Sequence, residues 1–183
     1  MPVLRDAKFL LHGAAGLLWL GLVSLPALAA DAQKPPVRIA VFDFQLEDVS
    51  AAASLPDANA SSTPAMQAIM QNVSTKARQV LAQSGRYSLV DVSQVDAKPV
   101  REKSLANCDG CENAIALQLG AEQAMIGVVR RISMTDYYVL VQISDCRTGK
   151  VLAQEVANFA GGDDGWANGV ANLIRHQVLA VPP

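Results

Sequence analysis

The chain has 183 residues, room for one domain or two small ones, with 15 Lys plus Arg against 17 Asp plus Glu. That balance argues against the broad basic footprint of a nucleic-acid binder. A hydrophobic fraction of 51% beside only 17% charged residues excludes a disordered chain.

Residues 1–29 have the three parts of a secretory signal. Arg5 and Lys8 form a basic start, Gly13 to Leu25 an apolar run, and Pro26 precedes the small-residue triplet Ala27-Leu28-Ala29. A spanning helix takes about 20 predominantly apolar residues. The run from Leu10 to Leu25 is shorter, and no charged stop-transfer flank follows it. With no Cys at the cleavage point, the expectation is an exported protein released by a cleaved signal, not a lipoprotein and not held in the membrane afterwards. Residues 30–36 (ADAQKPP) then read as a linker and 37–180 as one domain.

Val37 to Phe44 (VRIAVFDF) is apolar and β-branched, as a buried strand requires. Gln45 to Thr63 has no run of large apolar residues and predicts an exposed loop. Thr63 and Pro64 form a helix start, a capping hydroxyl followed by proline at the first helical position. Met66, Ile69, Met70, Val73, Ala77, Val80 and Leu81 then repeat every three or four residues as one apolar stripe, and Ser84-Gly85 ends the helix. Tyr87 to Val92 predicts a second strand and Cys111 to Leu119 a short helix. Two strands follow, Gln123 to Ile132 and Tyr137 to Asp145, the second with Val139, Val141 and Ile143 on one face. Val151 to Phe159 predicts another strand. A last helix from about Gly165 to Leu179 turns Trp166, Val170, Leu173, Ile174 and Val178 inward. This order predicts an α/β fold: a mixed sheet of about five strands with three helices packed on it, arranged strand-helix-strand-helix-three-stranded meander-helix.

Four phrases stand in sequence: RIAVFDFQLEDVS at 38–50, GRYSLVDVSQ at 85–94, CDGCENAIALQLGAEQAMIGVVRRIS at 108–133 and DCRTGKVLAQEVANFAGGDDGWANGVANLI at 145–174. Together they resemble a family of periplasmic proteins of Gram-negative bacteria defined as a domain of unknown function. In that family an acidic residue precedes the Trp, matched here by Asp163, Asp164 and Trp166, with Gly165 interrupting the usual spacing. The Cys-x-x-Cys pair also matches, whereas Cys146 does not. More remotely, the layout is similar to the amino-terminal domain of the TolB translocation protein and to the curli-secretion lipoproteins. Those are envelope assembly and interaction proteins, so the resemblance implies a periplasmic, non-enzymatic role.

Cys108-Asp-Gly-Cys111 is the sharpest chemical feature. Covalent haem would need His after the second Cys, where Glu112 stands. Zinc would need two more ligands, and only Cys146 and His176 are left in the exported part. A helix start at Cys111 favours a reactive thiolate, but Asp109 and Glu112 oppose one. A Cys108–Cys111 disulfide with Cys146 unpaired and partly buried is therefore expected. Cys146, placed opposite about Gln123, would lie roughly 12 Å from Cys111 along the helix, beyond the about 7 Å a bridge tolerates.

Asp163 and Asp164 read as helix caps with Trp166 packing the helix onto the sheet. Two adjacent carboxylates make a poor calcium loop. Asp43 and Asp48 flank the exit of the first strand and Asp91 follows the second. Were those strands parallel neighbours, Asp43 and Asp91 would open at one sheet edge, where α/β folds bind ligands. No phosphate loop and no Ser/His/Asp arrangement accompanies them, and His176 reads as surface. No cofactor and no metal is expected. The sequence points to a non-catalytic periplasmic accessory that binds another exported or envelope protein, by a sheet edge or the 45–63 segment. The alternatives are a thiol-disulfide accessory using Cys108 and Cys111, and a small-ligand binding protein. Nothing in the sequence fixes an oligomeric state.

Overall fold

β1 (Val37–Val41) is an interior strand of a mixed sheet, with Ile39 and Val41 buried on one face and Ala40 on the other. The computed structural model describes residues 35–54, 63–93, 95 and 110–180. The expected signal at 1–29, most of the linker and Cys108 lie outside the described residues.

Six strands form the sheet: β1, β2 (Gln45–Asp48), β3 (Tyr87–Val90), β4 (Gln123–Arg131), β5 (Asp136–Asp145) and β6 (Val151–Ala160). Their order is β3-β1-β4-β5-β6, with β2 also on β4. β1 pairs in parallel with both β3 and β4, and β4, β5 and β6 form the antiparallel meander. The α/β class, the mixed sheet and the three helices agree with the sequence-based expectation.

The 45–63 segment departs from it. Its first four residues are β2, which continues β1 along the same side of β4, and a single 3-10 turn follows at Ala51–Ser54. β1 pairs Val41 with Met125, whereas β2 pairs Gln45 with Val128, so residues 42–44 contain one more residue than the facing stretch of β4. Such a bulge leaves backbone groups without ladder partners. Helix α1 (Pro64–Gln83) supplies them: the Phe44 N–H donates to Ser74 Oγ at 2.9 Å, and Ser74 Oγ donates to the Met70 carbonyl. Arg78 Nε and Nη2 donate to the Val41 carbonyl at 3.1 and 2.9 Å. The bulge also lays the Phe44 ring over Gly127 of β4, filling the space a Cβ there would occupy.

Thr63 caps α1 as expected, its Oγ1 accepting the Met66 N–H at 3.2 Å. α1 and α3 (Trp166–Leu173) cover one face of the sheet, with Ile39, Val41, Phe44, Met125, Val129, Val139, Val141 and Ile143 beneath them. α3 continues into one wider π-turn, Ile174–Val178, which keeps Ile174 and Val178 buried. α2 (Cys111–Gln118) covers Ala40, Phe42, Ala124 and Ile126 on the other face. No helix among the described residues is long and apolar enough to cross a membrane.

Candidate functional site

The expected site residues fall into separate places. Asp48, Asp163 and Trp166 come together at the end of the sheet where β2 leaves β4, around a residue that sequence reasoning did not select. Asp48 faces Arg131 across the parallel pair, as Glu47 faces Arg130. Arg131 Nη1 donates to Asp48 Oδ2 at 3.0 Å and Nη2 to Asp163 Oδ2 at 2.6 Å. The guanidinium lies 5.0 Å from the Trp166 ring centroid. One side chain thus ties β2, β4 and the start of α3 together. The Arg131 side chain is 13% exposed and that of Asp48 only 5%, so this pair is far drier than an ordinary surface bridge. Glu47 and Arg130 form a second pair, with Arg130 stacked on Tyr138 at 4.9 Å.

Burial alone would push the Asp48 carboxyl upward. The Ser50 hydroxyl and N–H, which both donate to Oδ1, together with the positive Arg131, outweigh it and hold the group below its ordinary value. The expectation that Asp163 or Asp164 caps the last helix needs correction. A short 3-10 turn, Asp163–Gly165, precedes α3, Gly165 is its cap, and no side chain bonds the cap N–H groups. Asp163 turns instead to Arg131. Asp164 lies near Tyr137, whose hydroxyl is pushed up by burial and then by that charge. Trp166 is buried against the sheet, 5.7 Å from the Tyr137 ring.

Beyond this buried node three large apolar side chains are exposed, at a turn that also carries Thr135 and Asp136. Val49 is 58% exposed, Ile132 47% and Met134 85%. The Val49 N–H donates to the Arg131 carbonyl at 3.0 Å, which sets Val49 beside Ile132, and Met134 stands in the adjoining turn between β4 and β5. The three form the tip of the sheet from which the 45–63 segment departs.

Asp43 and Asp91 meet elsewhere. β1 and β3 are parallel neighbours, so both carboxylates stand at the carboxyl ends of these strands. They line one shallow depression of ≈ 500 Å³ with Arg78, Leu89, Val92 and Ser93. Asp43 accepts from Arg78 Nη2 at 2.7 Å, and Asp91 accepts the Ser93 N–H at 2.8 Å. The depression sits where the connection after β1 crosses one face of the sheet and that after β3 crosses the other.

At the amino-terminal end of α2, Cys111 is disulfide-bonded, and Cys146 is a free, buried thiol. Cys108, the partner expected for Cys111, lies outside the described residues. Cys146 stands one residue past the position facing Gln123, which Asp145 takes. Burial, then the charges of Asp145 and Glu112, push its thiol up to about 11. Beside it the Ser144 hydroxyl donates to Asn113 Oδ1 at 2.6 Å, both groups buried. Among the described residues no three His, Cys, Asp or Glu side chains gather as a metal site would require.

Sequence reasoning missed Arg131, Arg78, Ser50 and Ser74. Only the Arg pair had a readable signal: Glu47-Asp48 ends β2 and Arg130-Arg131 ends β4, opposite charges at matching ends of two strands.

Residues 37–178 match the family DUF3280, described as "Protein of unknown function (DUF2380)". None of the curated proteins matches the sequence. Among solved structures, the chain is similar to the LpoB C-terminal domain from Salmonella enterica, at 16% identity and TM-score 0.47 over 70% of this chain and 86% of that one. It is also similar to lipoprotein GNA1162 from Neisseria meningitidis, at 16% and 0.46 over 70% and 84%. TolB from Acinetobacter baumannii, whose family the sequence resembles, matches at 12% and 0.45 over 82% of this chain and 30% of TolB.

Proposed function

This chain belongs to the DUF3280 family, and we propose that it is a non-catalytic periplasmic interaction module whose sheet tip binds another exported protein. The supporting observation is the exposure of Val49 and Ile132 at the ends of neighbouring strands and of Met134 in the turn that follows, next to a buried ion pair that fixes the segment bearing Val49. Burying a Val, Ile or Met side chain fully is worth roughly 1.5–3 kcal/mol. Three neighbouring ones on a rigid base provide the apolar centre that protein interfaces use. The acidic groups at this node are tied to Arg131, and the sole histidine of the proposed mature chain, His176, is exposed on the last helical turn.

A photo-cross-linking residue at Met134 in the exported protein should give one adduct of defined mass in living cells. The same residue at His176 should not. Val49→Glu should weaken the adduct at least about tenfold, the effect of losing roughly 1.4 kcal/mol. Equal labelling from both positions, or none from Met134, would remove the proposal.

We read the Cys108-Cys111 pair as a structural disulfide in this scaffold. Its support is the bonded state of Cys111 together with a Cys146 thiol that is poorly ionised. At pH 8 iodoacetamide should leave Cys108 and Cys111 untouched in the native protein. It should alkylate Cys146 about a hundredfold more slowly than an ordinary thiol of pKa ≈ 8.5, with full reaction only after unfolding. Rapid native labelling of Cys108 would mark the pair as labile and favour a redox role.

A further inference from the structure

β6 ends the sheet, and among the described residues no strand pairs with its outer edge. It is ten residues long. The devices that protect an edge are largely missing: β6 contains neither Lys nor Pro, and Glu155 is its one charged residue. A register shift at the Ile143/Ser144 position of β5 places the irregularity at the Val151–Leu152 end, leaving Ala153–Ala160 as a regular strand. Along it Ala153, Ala157 and Phe159 pack toward α1 and α3, while Gln154, Val156, Asn158 and Ala160 stand exposed on the other face. Val156 is 49% exposed.

An edge of this kind can accept a strand from many proteins, so its own residue order decides the partner. When two copies of one strand pair antiparallel about a twofold axis, facing residues must lie on the same face of the sheet. The axis therefore passes through a residue, and four positions, 155 to 158, keep most of the regular stretch paired. An axis at Glu155 sets two carboxylates against each other, which is unfavourable. An axis at Ala157 sets Val156 against Asn158 and Glu155 against Phe159. An axis at Val156 sets Val156 against its own copy, Gln154 against Asn158, Glu155 against Ala157 and Ala153 against Phe159. An axis at Asn158 also matches amide with amide and apolar with apolar, but it pairs only residues 156–160; the register at Val156 does so over 153–159 and keeps the two Glu155 side chains apart.

We propose that β6 pairs with β6 of a second copy of this chain about a twofold axis at Val156, joining two sheets into one. This surface runs along the β6 edge, whose carboxyl end adjoins the turn carrying Met134, so the dimer and the binding of another protein at the tip are followed by separate readouts.

Cysteine cross-linking of the full exported chain tests both the partner and the register. Val156→Cys should form a disulfide-linked dimer under mild oxidation. Neither Gln154→Cys nor Asn158→Cys should do so alone, but a mixture of the two should cross-link. Without oxidant, sedimentation of the unsubstituted protein up to about 100 µM should show a dimer, and Val156→Lys, unchanged in thermal midpoint, should raise its Kd at least tenfold. A monomer throughout that range overturns the proposal. Self-linking through Glu155→Cys in preference to Val156→Cys overturns the register. Capture of a different protein by Val156→Cys, with no self-linked product, overturns the choice of partner. The Met134 adduct is measured in Val156→Lys as well: its persistence separates failure of the dimer from failure of the tip.

Discussion

Replacing Arg131 with Met should destabilise the protein by about 3 kcal/mol at neutral pH, the lower end of the cost of removing one partner from a buried ion pair. The methionine keeps most of the apolar stem against Trp166, so the loss reports the charge and its bonds. Asp163 is the more exposed of the two carboxylates left behind and turns to water. Asp48, almost wholly buried, keeps only Ser50 as donor. Asp48→Asn in the same chain should recover a good part of the loss, since the uncompensated charge is then gone. The pH dependence has a definite sign. The Asp48 carboxyl is held below its ordinary value in the fold, so the unfolded chain binds its proton first as pH falls. Its contribution is full at neutral pH and disappears progressively below about pH 4. The difference between parent and Arg131→Met should therefore shrink from pH 7 to pH 3. Urea unfolding at the two pH values measures it, and a gap that stays constant or widens would mean the pair contributes nothing of this kind.

Gly127→Ala should cost about 3 kcal/mol, the upper part of the range for overpacking a filled core. On propensity alone the change would help, because glycine in a strand interior loses backbone entropy and packs nothing. The Phe44 ring reverses the sign. It occupies the position of the new methyl, and with Phe44 itself 4% exposed and under α1 it has no room to move aside. Phe44→Leu costs stability alone, yet combined with Gly127→Ala the two should lose clearly less than their sum, because the smaller side chain makes room. Thermal unfolding of the four proteins closes this cycle. A neutral or stabilising Gly127→Ala would contradict the close approach of ring and strand.

How far the molecule could be read beforehand depends on where its information lies. α1 was fully legible: Thr63, Pro64 and a stripe from Met66 to Leu81 specify start, phase and buried face within one window. β5 was legible through the alternation of Val139, Val141 and Ile143, and the inward side of the last helix through Trp166, Val170, Leu173, Ile174 and Val178, although the spacing gave no sign that its last turn widens to a π-turn. β2 was not, because a four-residue strand with Leu46 as its one large apolar residue has no periodic signal. What holds it are Glu47 and Asp48 against Arg130 and Arg131, contacts that exist only once a parallel register with β4 is chosen. The same register removed Asp163 from the capping role that its position ahead of α3 suggested. Asp43 and Asp91 were placed together from the sequence because that inference needed only β1 beside β3. The Phe44 backbone bond to Ser74 and the grip of Arg78 on Val41 arise from the extra residue at 42–44, and no local pattern announces it.

That extra residue also sets the phase of everything after it. Ile39 and Val41 face α1, and so do Phe44 and Leu46, although odd positions have given way to even ones between them. Were the three residues to run on in regular alternation, without the bulge, Leu46 and Asp48 would lie on the side away from Arg131, and Gln45 and Glu47 beneath the helices. The bulge that Ser74 and Arg78 hold is therefore what brings Asp48 to the face where Arg131 waits.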